Sequence, residues 1–411
     1  MAVANVRTGD RRTDIAGESP YGTAGTFGTI RPTSWITPEV METNIDNTEE
    51  SPFLFDKLNP IRGLKSAKCT VQGNVRATSA LLDEGATAIA TPADMSLFPL
   101  VMGGENSSGG YFPDGSTVQA TSSVSSIIFN TGDGSKVKKG QPFLVESASG
   151  SYDWAIVGSI STDTITPAIQ PSGVYVTGKI INTACWYFTP ANTNSISLRT
   201  SLVSDSNAQW LLRGGQCPDA FKLTIERDKQ ISWEFPLEFA DWSRGALGYA
   251  TSIVPDTQGP RFVAGQNAKC ILQATSTLTK TNYSIESLTV NFKSGMTTLP
   301  EIAGDGIQGC AGWMRTAGRD LSTLTIKGRF DTAIRTLYDN QTQVRFVYAV
   351  PYGSGLTQRW FFVVVNRAVI ADITKDMDEG GRLVSEVTLS PQIDTSSTDE
   401  FISTPIIIAV A

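Results

Sequence analysis

The chain has 411 residues, 33 of them basic and 40 acidic, for a net charge of -7, and it contains no histidine. The missing imidazole excludes Ser-His-Asp and Cys-His nucleophiles, His-ligated metals and the usual near-neutral general base, and the acidic balance argues against a protein that grips a phosphate backbone. The length allows two to three domains with cores of their own.

Five cysteines (Cys69, Cys185, Cys217, Cys270, Cys310) are odd in number and form no C-x-x-C pair. They read as reduced thiols, not as a zinc site or a disulfide framework. No window of 18 apolar residues occurs and Met1–Pro20 is polar, so neither a membrane span nor a secretory signal is expected. Abundant Gly, Ser and Thr favour strands and turns over long helices.

In chain order, residues 1–34 form a polar arm with too little apolar content to pack alone, predicted to be loose or ordered by a neighbouring subunit. Strands begin near Trp35 and are clear from Lys68 to Val75. Pro92–Met102 reads as a short helix or extended turn interrupted at Pro99. The Gly/Ser cluster Gly103–Gly115 marks a boundary, and residues 116–181 read as an inserted all-β module of about five short strands.

Beyond the insertion, Ser206–Gly214 starts at a capping residue and closes on glycine, which predicts a helix of about two turns. Two runs then alternate with period two. Phe221, Leu223 and Ile225 take turns with Lys222, Thr224 and Glu226; Trp233, Phe235, Leu237 and Phe239 take turns with Ser232, Glu234, Pro236 and Glu238. Each makes one face apolar and the other wet, and Pro236 points to an edge or a bulge. From residue 244 the style repeats: Leu288, Val290 and Phe292 alternate, a capped helix is predicted from Asp331 through Tyr338, and strands at Arg345–Val350 and Trp360–Val365 follow. Phe361–Val365 is continuously apolar and must be covered on both faces. The tail Pro405–Ala411 is too apolar to stay in water and must dock on its own subunit or on another.

One pattern spans both halves. Gly63, Thr70-Val71-Gln72-Gly73 and Val75 reappear 255 positions later as Gly318, Thr325-Ile326-Lys327-Gly328 and Phe330. A strand motif repeated at that distance suggests two related β units in one polypeptide, as building blocks of pseudo-symmetric rings often have.

Motifs that might carry chemistry have better structural readings. Gly304–Gly309 matches G-x-G-x-x-G but leads into a strand, so it reads as a flexible loop and not a phosphate cradle. Asp376, Asp378 and Glu379 lack calcium-loop spacing and read as a solvated hairpin tip. Glu234 and Glu238 read as solvated acids on a strand face, and Lys136, Lys138 and Lys139 as solubilising charge. No catalytic, cofactor-binding or metal residue is assigned, and an enzyme is not expected.

Several stretches together resemble the major tail tube proteins of long-tailed, non-contractile bacteriophages: Glu18–Thr23, Val71–Val75, the β insertion after the first strand group, Leu223–Asp228, Gly328–Phe330, Trp360–Ile370 and Gly380–Leu389. Asn366-Arg367 stands where the family pattern has a proline. The resemblance implies a mainly β fold: two tandem tube-type sandwich or half-barrel domains with short flanking helices. The first would be discontinuous, residues 35–115 and 182–243, and the second residues 244–411. It implies stacked rings whose strands join into one inner barrel, trimeric with pseudo-sixfold symmetry or else hexameric. The expected partners are further copies of itself, a tape measure protein, and tail terminator or tip proteins, with DNA in transit without tight binding. The expected place is the virion tail, assembled in the host cytoplasm, with no membrane and no cofactor. The polar residues Glu226, Ser232, Glu234 and Glu238 become candidates for lining the bore. Two other readings share the composition: a different virion β protein (tail terminator, tail-tip or decoration protein) and a surface- or glycan-binding module carried by residues 116–181.

Overall fold

A computed structural model describes residues 11–34, 36–45, 61–77, 92–106, 119, 121–174, 178, 180–188, 194–202, 205–249, 259–265, 267–293, 295–300, 310–315, 322–355, 358–377, 383–393 and 404–411. Strands dominate. The first half contains β1 (Arg11–Gly17), β2 (Gly28–Ile30), β3 (Glu39–Ile45), β4 (Ile61–Asn74), helix α1 (Leu97–Met102) and β5 (Gly103–Asn106). The inserted segment supplies β6 (Ile127–Ile128), β7 (Pro142–Glu146), β8 (Tyr152–Ser161), β9 (Thr164–Ile169) and β10 (Ile180–Asn182). Then come β11 (Ala184–Phe188), β12 (Ile196–Leu202), β13 (Asp205–Gln216), β14 (Ala220–Glu226), β15 (Ser232–Gly245), β16 (Lys269–Ala274) and β17 (Ser284–Lys293). The chain continues with β18 (Met296–Pro300), β19 (Cys310–Arg315), β20 (Thr323–Arg329), helix α2 (Thr332–Asp339), β21 (Val344–Tyr352), β22 (Arg359–Met377), β23 (Leu383–Pro391) and β24 (Ile407–Val410).

Among the described residues, seventeen strands join one antiparallel sheet that folds over itself without closing into a barrel. One layer runs β3-β4-β15-β14-β17-β20-β23 and ends on the second half of β22. The opposing layer runs β16-β21-β22-β24-β11-β5, so β22 belongs to both. The apolar sides of the two layers meet in one core. Phe221, Trp233, Phe235, Val290, Ile326 and Leu389 come from the first layer, and Phe346, Phe361, Val363 and Ile408 from the second. That core and the sheet both run through position 243/244 without a break. Phe98 of α1 plugs the centre, with its ring 5.1–6.2 Å from those of Trp186, Phe221, Trp233 and Phe235. Pro99 does not interrupt this helix, because it sits in the first turn, where an N–H has no intrahelical acceptor.

The inserted segment is a five-stranded sheet, β10-β7-β8-β9-β6. One face, with Leu144, Trp154 and Ile156, packs on Val347, Phe362, Val364 and Ile407 of the main body. The other buries Phe129, Phe143, Val145 and Ile165 in a core of its own. Phe361–Val365 is thus covered on both faces, as its unbroken apolar run requires: Phe361, Val363 and Val365 look into the main core, Trp360, Phe362 and Val364 towards the insertion. A partly buried ion pair reinforces the seam. Lys280 Nζ lies 2.5 Å from Asp153 Oδ1 and 4.3 Å from the Trp154 ring centre, and Ser172 N and Trp154 N donate to the same carboxylate. Asn366, at the place of the family's proline, donates to Gly140 O of the insertion at 3.4 Å.

Three further expectations change. Ser206–Gly214 is not a helix but part of β13: Gly214 has φ +64° and sits at the irregularity where β12 pairing shifts between Leu198 and Ile196, so the closing glycine serves a bulge and not a helix end. Pro236 is not on an edge strand. It pairs with Thr70 on the β4 side, and on the other side it falls where the partner of β15 changes from β14 (to Glu234) to β13 (from Glu238), the place where a missing N–H costs least. The arm, from Arg11 on, is held by its own chain: β1 pairs with β12, and the Glu18 carboxylate accepts from Ser195 Oγ (2.5 Å), Ser197 Oγ (2.5 Å), Gly22 N (2.7 Å) and Gly214 N (2.8 Å). The apolar tail docks on its own subunit, between β22 and β11. The helix predicted after Asp331 is α2, with Asp331 as its N-cap.

Candidate functional site: a polar sheet face between two open edges

Period-two alternation in adjacent strands becomes a surface only when the registers agree, and here they do. One row across the first layer reads Asn74, Ser232, Thr224, Thr289, Thr325, Thr388, Asp372, each residue opposite the next on the neighbouring strand. A second reads Gln72, Glu234, Lys222, Asn291, Thr323, and a third Glu226, Ser287, Lys327, Glu386, Thr374. The residues between them in sequence are the core residues of the same strands. The surface is therefore a broad band of hydroxyls and amides backed by a packed apolar layer.

The four bore candidates share this face. Ser232 lies in its central row. Glu234 accepts from Gln72 Nε2 at 3.0 Å and stands opposite Lys222. Glu238 pairs with Lys68, and Glu226 with Lys229. Lys327 stands opposite Glu386. Each of these four acids thus has a basic or amide neighbour, and the band is close to neutral instead of strongly acidic. Sequence reasoning found the β14 and β15 parts of it. The β17, β20 and β23 parts alternate just as clearly, but nothing in a sequence says that these strands are neighbours.

Two edges bound the layer. Lys68 pairs with both Glu39 and Glu238, so β4 is internal, and among the described residues β3 pairs with β4 alone and is terminal on that side. On the other, Ala368 pairs with Val344 of β21 and Pro391 of β23, one on each side of β22. Beyond Ala368, β21 has ended, and among the described residues no strand pairs with that side of Val369–Met377. Unpaired backbone N–H and C=O groups on such edges are templates for strand addition.

The repeated motif places its two copies in matching positions. β4 and β20 each follow an antiparallel neighbour (β3, β17) and precede a helix (α1, α2). Each helix leads into a strand that hairpins with the next, β5 with β11 and β21 with β22. The inserted module occupies the first of these hairpins.

Among the described residues no group of three or more His, Cys, Asp or Glu is arranged to hold a metal ion, and no helix is long and apolar enough to cross a membrane. Lys136 is tied to Asp133 at 2.6 Å. Gly304–Gly309 and the Asp378-Glu379 tip lie outside the described residues. Comparison with protein-family models and with curated proteins finds no match for this chain.

Proposed function

We propose that this chain is a structural subunit that assembles through its two sheet edges into rings around a polar bore, the role of a phage tail tube protein. The observation that carries this reading is the eight-strand layer: apolar behind, polar and nearly charge-balanced in front, with open edges at β3 and β22 on opposite sides. A layer of that kind closes head to tail, the edge of one copy meeting the other edge of the next, so the interface is heterologous and a rotation that closes gives a ring.

Size favours three copies. Each copy brings both versions of the repeated motif, and three give about 24 strands; at a spacing of about 4.8 Å and a tilt of about 40°, the backbone cylinder is about 48 Å across. Such a passage admits a nucleic-acid duplex. A face of hydroxyls, amides and matched charges offers no dense array of cations to hold phosphates, so a polyanion slides past it. The inserted module, on the far side of the opposing layer, then decorates the outside.

Negative-stain electron microscopy of the purified, concentrated protein tests the reading. Hollow rods of uniform width are expected; a protein that stays monomeric at every concentration and ionic strength tried overturns it.

A further inference from the structure

Away from the polar band, the β12-β13-β15 end of the folded sheet carries a second surface of different chemistry. Lys65 Nζ lies 5.0 Å from the centre of the Trp242 ring, Trp242 lies 5.8 Å from Trp210, and the Arg244 guanidinium lies 4.9 Å from the centre of the Trp210 ring. Trp210 stands opposite Arg244, and Leu212 opposite Trp242, in the β13–β15 pair; β3 flanks the row, with Met41 O accepting from Trp242 Nε1 at 3.3 Å. Both indoles are half-buried and Arg244 is exposed. As far as Tyr249, the chain leaving β15 runs on the other side: Leu247 N and Tyr249 N bind Gln209 Oε1, and Tyr249 stacks on Arg199, both on the opposite face of β12 and β13.

A cation, two indoles and a second cation in a row suit a ligand that offers carboxylates to the ends and apolar rings to the middle. The chain itself contains such a segment. Residues 46–56, which follow β3, carry Asp46, Glu49, Glu50 and Asp56 around Pro52, Phe53 and Phe55. The paired part of the β3–β4 hairpin passes the ladder at Glu42 and Lys65 and continues to Ile45 and Ile61, about 13 Å further along the strands.

We infer that the Lys65–Trp242–Trp210–Arg244 ladder is a docking surface for residues 46–56 of a second copy of this chain. This deepens the self-assembly reading by adding a contact made by side chains, distinct from strand pairing at the edges. Attraction between Glu49 and Glu50 on one copy and Lys65 and Arg244 on the other steers the approach and weakens with salt, while Phe53 and Phe55 against the indoles supply the apolar burial.

The test is a titration of the full-length protein with a synthetic peptide of residues 45–58, followed by tryptophan emission. A saturable change is expected. It is weakened at least about tenfold by Lys65→Glu with Arg244→Glu, and equally by a peptide with Glu49→Lys and Glu50→Lys, and the doubly reversed pair regains binding. Absence of a saturable change, or binding indifferent to both reversals, overturns the inference. Because the readout is peptide binding and not rod formation, it stands apart from the edge reading: a protein that forms no rods yet binds the peptide in this charge-dependent way refutes the edges and keeps the ladder.

Discussion

Gly73 lies opposite Trp233 on the neighbouring strand, with the indole folded over it: a Cβ at this position would sit 2.1 Å from Trp233 Cζ2. Gly328, its counterpart in the repeated motif, lies opposite Ile285, where a Cβ would meet Ser284 O at 2.7 Å and Ile285 Cα at 2.9 Å. Both glycines make room for the adjacent strand, Gly73 for an indole and Gly328 for backbone that comes close where the β17–β20 register shifts. Trp233 is fully packed, so Gly73→Ala must push the ring out of a filled core, at a cost of about 1–3 kcal/mol. A lower urea midpoint at unchanged slope is the expected result, and a midpoint equal to that of the unaltered protein contradicts the packing argument.

Acid has opposite effects on the insertion seam depending on Lys280. Burial alone would raise the Asp153 carboxyl, but the Lys280 ammonium and the Ser172 and Trp154 amides hold it below its ordinary value. Burial lowers the Lys280 ammonium, and Asp153 opposes that shift. A depressed carboxyl contributes stability in full above its unfolded pKa and loses it as pH falls through the lower folded value. Lys280→Met leaves a partly buried carboxylate without its cation, costing about 1–3 kcal/mol near neutral pH. It also turns the shift upward, so the variant regains stability relative to the unaltered protein as the solution is acidified through the carboxylate range. Denaturant midpoints between neutral pH and pH about 4 read the sign directly.

The thiols should be silent in the native protein. Cys69, Cys185, Cys217 and Cys270 are buried, and burial pushes the first two up to about 12 and the other two further in the same direction. At pH 8 the reactive thiolate of Cys69 or Cys185 is then about one part in ten thousand. With Ellman's reagent the folded chain should show at most one fast thiol, Cys310, and all five after denaturation. Fast reaction of two or more in the folded state means that the core opens locally.

The alternating strands were legible because one side of each is apolar and the other is not: Phe221 to Ile225, Trp233 to Phe239 and Leu288 to Phe292 all behave as written. The buried run Phe361–Val365 was legible for the opposite reason, having no wet side at all. β13 was not, since Ser206 and Gly214 imitate helix punctuation and only the β12 register reveals a bulge. The arm misled through composition: Glu18 is polar by type yet buried, because Ser195, Ser197 and two amides, three of these four groups far away in sequence, satisfy its oxygens. For the candidate site, Glu226, Ser232, Glu234 and Glu238 could be placed on a polar face from periodicity alone. The width of that face, the matching of its charges and the two open edges depend on which strands are neighbours, which long-range pairing decides and no local pattern encodes.

The edge at β22 gives the proposed assembly its most direct test by mutation. Proline removes an N–H from a ladder, and in an antiparallel strand consecutive amides point to opposite sides. Of Thr374→Pro and Lys375→Pro, therefore, one removes a donor used by β23 and the other a donor that faces outward. The first should lower the denaturant midpoint of the isolated chain. The second should leave it nearly unchanged while reducing association, read by sedimentation velocity, at least about tenfold, because the lost donor is then needed only by a neighbouring copy. Both halves of that outcome matter: a folded outward-proline variant that associates as well as the unaltered chain shows that this stretch of β22 is not where copies join.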